Sequence, residues 1–471
     1  MKNTLVSAAL VAGLGLLAAC QESGPVESSP SNMPPAQAKN SGAGPAPAPH
    51  LVVEYTGAAG DLSGQVRALG GRVERLVPEL GLAKITGIGD GGIAALSQVR
   101  GVQSVTRDLM VQWVQPPRAV LASRVAPRTS SFQDQGSATF FPFQWNLSVI
   151  QADQVWGTGF RGAGASVAIL DTGIDDTNIE LAGRVDHALS AAFTPNLNPN
   201  PAFPVWGDDN AHGTLMASIV ATNGVNIASI APDVKLIAVK VLNSSGGGSF
   251  LDIVSGIVYA ANVGADVLNL SLGVYVPAHF PGVGRLNAFL TKAINYANGK
   301  GALVVLASGN GDANGNGIDL DHDRSGTLIP GQTGAPVTVA ATGPVNQQSF
   351  DHLASYSNFG RSVVALVAPG GEVVSGNQDD LILGICSRQT LQPPFDAVCP
   401  AGNIYLVSAG TSDAAPHVSA VAALVDGRFG GRLNGGQLRT QLERTADDLG
   451  KPGTDALYSH GRVNALRAVT E

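Results

Sequence analysis

The stretch AGTSDAAPHVSAVAAL, Ala409–Leu424, decides how this chain is read. Glycine and small residues surround Ser412, an apolar run precedes it, and apolar residues at helical spacing follow. The serine therefore stands where a strand hands over to a helix. A lone serine at such a junction is ordinarily an N-cap. The stretch raises two questions: whether Ser412 is also a nucleophile, and why a carboxylate, Asp413, comes directly after it.

Working outward, two more chemistry-bearing residues occupy similar junctions. Asp171 closes the run ASVAIL and opens DTGID, and His212 begins HGTLMASIVAT. Taken singly, each is a turn, cap or structural residue. Around them, ASVAILDT, VKLIAVKVL, DVLNLSL, ALVVLAS, PVTVAAT, VVALVAPG and NIYLVSAG are strand candidates, and helices are predicted over 211–222, 249–263, 285–299, 412–426 and 435–446. Unbroken apolar strands alternating with helices predict an α/β fold, a mostly parallel, doubly wound sheet covered on both faces. Chemistry in such sheets collects at the carboxyl ends of the strands. This body spans 141–471.

Composition narrows the field. With 28 Lys and Arg against 36 Asp and Glu, a net charge of -8 and no basic block, the chain has no footprint for binding nucleic acid. The first residues, MKNTLVSAALVAGLGLLAAC, carry one lysine, then an apolar run too short for a membrane-spanning helix, which needs about 20 residues. They read as a signal peptide over 1–19. LAAC resembles the lipobox of bacterial lipoproteins, which implies lipidation of Cys20 and a membrane anchor; a plain export signal with a chance cysteine is the alternative. Gln21 after the cysteine favours, by the same resemblance, the outer membrane, with a periplasmic or cell-surface location. Residues 20–50 are rich in Pro, Ser, Ala and Gly and form a tether. Two cysteines remain, Cys386 and Cys399; export favours a disulfide over two free thiols.

Between tether and main body, residues 51–114 read β-α-β-β-α-β, a small ferredoxin-like α+β domain. Residues 115–140, with several prolines and three arginines, are a second link, where proteolytic nicking concentrates.

Asp171, His212 and Ser412 together are more than three caps. DTGI, HGT and GTSxAAPHVSxVAAL resemble the three signatures of the subtilisin-like serine proteases, and the chain order Asp, His, Ser is the one subtilisin itself illustrates. QWNL (144–147), ADVLNLSLG and ASGN also match, so the resemblance covers nearly all of 141–471. It implies a serine endopeptidase acting on protein or peptide substrates. Ser412 would be the nucleophile, His212 the general base and Asp171 its orienter. The resemblance assigns Asn310, with the backbone N–H of Ser412, to the oxyanion. It assigns Ser271, Leu272 and Gly273, with Ser308 and Gly309, to substrate binding. Residues 51–114 then look like the family's propeptide, an intramolecular inhibitor, and 115–140 would hold its processing site.

Two departures from the family pattern, Asp413 for the usual Met and Ala211 for Gly, leave an inactive binding or scaffold protein of the same fold as an alternative. An esterase of α/β-hydrolase type is disfavoured, because the serine lacks the G-x-S-x-G elbow and the chain order differs. Asp413 in the first helical turn gains about 0.3–1 kcal/mol from the helix dipole. Beside the reaction it would oppose an oxyanion and favour an imidazolium, tuning the enzyme.

DANGNGIDLDHD, 312–323, carries Asp312, Asn314, Asn316, Asp319, Asp321 and Asp323 and resembles the start of an EF-hand calcium loop. Its last position is Asp rather than Glu, and no flanking helices are predicted, so a solvated acidic loop is the competing reading. The chemistry itself requires no cofactor; calcium would be structural.

Overall fold

The computed structural model describes residues 50–114, 120–121 and 134–471. The signal segment, Cys20, most of the tether and most of the 115–140 link lie outside the described residues. Seven strands form one sheet in the order Val364–Pro369, Val337–Thr342, Leu303–Ala307, Val267–Leu270, Ser166–Asp171, Lys235–Lys240 and Ala191–Ala192. Every neighbouring pair is parallel. Along Ser166–Asp171 the side chains alternate between two cores. Val167 and Ile169 face one, with Ala415, Val418 and Ala422 of the helix Thr411–Arg428. Ala168 and Leu170 face the other, with Ile257 of Phe250–Asn262 and Leu290 of Val283–Gly299. A strand buried on both faces needs an apolar residue at each position, which explains the unbroken apolar runs. The expected doubly wound architecture is the observed one.

Two expectations are corrected. NIYLVSAG forms a strand, Tyr405–Ser408, but outside the parallel sheet: it pairs antiparallel with Ile382–Ile385 and with Val120–Leu121. A four-residue apolar run looks the same in either kind of sheet. The main body also begins before 141. Gln135 is fully buried, its amide donating to Thr222 O and accepting from Ser229 N, and Ala138 and Phe140 belong to the main core.

The β-α-β-β-α-β reading of 51–114 matches the observed elements. Their antiparallel sheet has the order Arg72–Val77, Leu82–Thr86, Leu51–Tyr55, Val102–Arg107. Leu51 and Val53 face the unit's own core with Leu62, Val66 and Ile85. Val52 and Leu82, on the other face, join the core around Phe250–Asn262 and Val283–Gly299. At this junction Lys84 and Arg75 grip Asp252 at 3.0 and 2.9 Å. Asp108 lies 4.0 Å from Lys84; burial pushes its carboxyl up to about 6, against the pull of that ammonium. Beyond the unit, Met110–Gln112 pairs antiparallel with Gly247–Ser249, and the Trp113 indole donates to Gly248 O at 2.9 Å.

Candidate active site

Asp171 is the last residue of its strand, at the carboxyl edge of the sheet. It is fully buried, and its two oxygens lie 2.8 and 2.9 Å from His212 Nδ1. That contact places the proton on Nδ1 and leaves Nε2 free to accept one. The helix His212–Val220 reaches this position because residue 213 is glycine: a β-carbon there would collide with the carbonyl of Gly173 and stand 3.1 Å from Asp171 Cβ. Ala211, just before, sits at φ 111°, ψ -16°, a left-handed conformation that favours glycine and explains the family's usual choice. Burial lowers the imidazole pKa, but Asp171, through its charge and hydrogen bond, and then Asp413 and Asp208 raise it, and the net direction is upward.

Ser412 is the second residue of Thr411–Arg428. Four residues on, Pro416 has no N–H, so the carbonyl of Ser412 loses its ordinary helical partner. Ser271 Oγ takes that role, donating to it at 2.7 Å, and Ser412 Oγ donates in turn to Ser271 O at 3.1 Å. Asn269 Nδ2 donates to Ser271 Oγ at 2.9 Å, and Ser419 Oγ donates to Asn269 Oδ1 at 2.8 Å, tying helix to strand end. In this state the Ser412 proton points to Ser271 rather than to the imidazole.

Asn310 Oδ1 accepts from both the N–H and the hydroxyl of Thr411, at 2.8 and 2.9 Å. Two donors on one end of the amide fix it as oxygen, so Nδ2 faces the Gly410 side, beside Ser412. Ser271–Gly273 and Ser308–Gly309 continue two adjacent parallel strands, Val267–Leu270 and Leu303–Ala307. Thr411 Oγ1 also accepts from Gly309 N at 3.0 Å. Thr411 and Ser408 have structural roles here that the sequence reading did not assign. The only signal for Thr411 was a hydroxyl residue at a helix start, which ordinarily means a cap.

Asp413 turns inward rather than to solvent. It is 3% exposed, and Oδ1 accepts from Ser408 Oγ at 2.6 Å. Burial pushes its carboxyl up to about 7; the Ser408 hydrogen bond and the charge of His212 oppose the rise. Asp413 and His212 thus act on each other. When ionised, Asp413 favours the protonated imidazole, so Asp413→Asn lowers the His212 pKa and leaves the base neutral to lower pH. The acid limb of the pH profile of kcat/KM is expected to move down; an unmoved limb in a buffered pH series would refute the coupling.

Cys386 and Cys399 are joined, with Cα atoms 5.9 Å apart and both side chains buried. The 312–323 loop does not assemble a cage. Asp312 Oδ1 accepts from the N–H groups of Asn314 and Asn316, Asp319 Oδ1 from Asp321 N, Asp321 Oδ1 from Ser362 N and Asp323 Oδ1 from Ser325 N. Among the described residues no group of three or more His, Cys, Asp or Glu side chains could hold a metal ion.

The structure thus holds a buried Asp–His pair at the carboxyl edge of a parallel sheet and a serine at the start of a helix. The comparisons name the family. Residues 162–461 match the Subtilase family, and the chain belongs to it. A thermophilic serine proteinase from Bacillus sp. (strain AK1) is 34% identical over 331 residues, covering 70% of this chain and 67% of that protein. Thermitase from Thermoactinomyces vulgaris is 34% identical over 329 residues, 69% of this chain and 95% of that one. The crystal structure of the epidermin leader peptide processing serine protease of Staphylococcus aureus has a TM-score of 0.70. It covers 89% of this chain and 97% of its own at 23% identity, a likeness of fold. The chain is a serine endopeptidase of subtilisin type.

Proposed function

We propose that the chain is exported, held at a membrane through lipid on Cys20, and cleaves peptide bonds through Asp171, His212 and Ser412. The observation that carries the catalytic part is the Asp171–His212 contact at 2.8 Å, which holds the proton on Nδ1 and leaves Nε2 free to act as a base. To react, the Ser412 hydroxyl swings from Ser271 O to Nε2. Its oxygen attacks the substrate carbonyl as the proton passes to His212, and Asp171 holds Nδ1–H and stabilises the imidazolium. The developing oxyanion accepts hydrogen bonds from Asn310 Nδ2 and from N–H groups at the start of the Ser412 helix. His212 then gives its proton to the leaving amine, and water, activated by the same base, releases the acyl group.

Ser271–Gly273 supplies main-chain partners for an extended substrate, an arrangement that gives affinity with little sequence selection. The 51–114 unit acts as the intramolecular inhibitor. In support, Met110–Gln112 already lies on Gly247–Ser249 as an extended antiparallel strand. No helix among the described residues is long and apolar enough to cross a membrane.

A fluorophosphonate probe should label the full chain at Ser412. No label, with a control protease labelled in parallel, defeats the peptidase assignment in favour of the inactive scaffold. The mass and N-terminal sequence of the mature protein test the anchor: an unlipidated N-terminus downstream of Cys20 rejects it. Asn310→Ala should lower kcat about 10²–10³-fold with KM little changed, a scale taken from subtilisin. A KM effect alone would remove Asn310 from the oxyanion site.

A further inference from the structure

Residues 387–391, Ser-Arg-Gln-Thr-Leu, belong to the connection between the antiparallel strands Ile382–Ile385 and Tyr405–Ser408, yet they are not a surface loop. Ser387, Gln389 and Thr390 are buried, and polar side chains in such places are held by hydrogen bonds. Theirs reach the backbone that leads into His212. Ser387 Oγ donates to Asp208 O at 2.6 Å, Leu391 N to Asp209 O at 2.9 Å and Thr390 Oγ1 to Asn210 O at 2.5 Å. Three consecutive carbonyls thus take their donors from this one segment. Glycine at 207 lets it come so close: a β-carbon there would collide with Gln389 Oε1.

The same segment also grips the Asp171 side of the pair. Arg388 N and Gln389 Nε2 donate to the two oxygens of Asp175, at 2.6 and 2.9 Å, and Asp175 lies in the turn that follows Asp171. From within the fold, the Asp208 carboxylate accepts from Ala211 N at 2.9 Å and from Thr172 Oγ1 at 2.8 Å. Ala211, directly before His212, is the residue at φ 111°. A non-glycine residue persists in that conformation only where its surroundings over-determine it. Cys386 and Cys399 are joined, closing the loop that carries the segment.

We propose that residues 387–391 are a clamp for the Asp171–His212 pair, with Ser387 and Thr390 as positioning residues. By fixing the carbonyls that precede His212, they set where its Nε2 stands when the Ser412 proton is taken. The inference rests on the peptidase assignment above and adds to it a segment outside the residues that react. The clamp matters because a base misplaced by about 1 Å costs up to about 10²-fold in rate.

Thr390→Val in the full chain keeps the shape of the side chain and removes the donor to Asn210 O. It should lower kcat by about tenfold or more on a peptide substrate, with KM little changed. Against the lowering effect of burial, Asp171, Asp413 and Asp208 hold the His212 pKa up. An imidazole that drifts from Asp171 loses part of that support, so the acid limb of kcat/KM should move down. Thr390→Ser, which keeps the hydroxyl, should restore both. A folded Thr390→Val enzyme with the parent kcat and pH profile overturns the clamp. A fall in kcat that Thr390→Ser does not restore, or that leaves the limb in place, overturns it too. Should Thr390→Val fail to fold, hydrogen exchange on the unaltered chain decides. The Leu391 amide should exchange together with the core amides of the parallel sheet, and exchange well ahead of them rejects the clamp while the peptidase assignment stands. An unlabelled Ser412 in the fluorophosphonate assay removes that assignment, and this role with it.

Discussion

Ser412→Ala is expected to lower kcat by about 10⁶-fold, a scale taken from subtilisin. Nucleophile, base and orienter act as one unit: without the oxygen that forms the acyl-enzyme, the proton relay of His212 and Asp171 has nothing to serve. A residue of catalysis should survive, roughly 10³–10⁴ over water, because Asn310 and the helix N–H groups still stabilise an oxyanion formed by attack of water. Stability should hardly change. Ser412 Oγ makes one hydrogen bond, to Ser271 O, and a single neutral bond contributes on the order of 1 kcal/mol. The measurement is turnover of a peptide substrate alongside a denaturation curve. Retention of more than a hundredth of the activity at full stability would mean that another group carries the chemistry.

Lys240→Met should destabilise the fold by about 3–5 kcal/mol, the usual penalty for leaving a buried ion unpaired. Lys240 ends its strand with its whole side chain buried. Its ammonium donates to Thr172 O at 2.6 Å, to Asp209 Oδ1 at 2.6 Å and to Leu242 O at 3.1 Å, so every donor has an acceptor. Methionine fills similar space but strands the Asp209 carboxylate and two carbonyls. Burial already raises the Asp209 pKa, with Lys240 pulling the other way. Without the lysine the carboxyl rises further above its unfolded value. A group with a raised folded pKa penalises the fold above that pKa and less as protons bind, so the gap to the parent protein should narrow on acidification. Adding Asp209→Asn should recover part of the loss at neutral pH, since it removes the charge and keeps an oxygen for the N–H of Leu197. Denaturant curves at two pH values check both statements. Because Thr172 follows Asp171, loss of this anchor should also disturb the site and lower activity in the folded fraction.

Much of this protein is legible locally. The parallel strands announce themselves because a strand buried on two faces must be apolar throughout, as Val167–Leu170 and Leu303–Ala307 are. The residue words around Asp171, His212 and Ser412 are legible because close approach dictates them. Gly213 is required where the His212 helix meets the Asp171 turn, and Pro416 frees the carbonyl that binds Ser271. The β-α-β-β-α-β order of 51–114 was legible too, whereas that Val52 and Leu82 would rest on the main body was not.

Sequence by itself determined the fold class and the order of elements, because these follow from periodicity, and it singled out Asp171, His212 and Ser412 through words that resemble those of a family. Tertiary structure alone decided the rest. Tyr405–Ser408 left the parallel sheet for an antiparallel partner, since pairing is chosen by neighbours distant in sequence. The four aspartates of 312–323 accept from backbone N–H groups of their own and an adjoining loop, a set of partners that residue spacing does not announce. Asp413 turned away from water to Ser408, five residues back, because the helix start that presents Ser412 is packed on its other side. There its charge is coupled to His212, and a carboxylate that reads in sequence as a helix cap becomes part of the site's electrostatics.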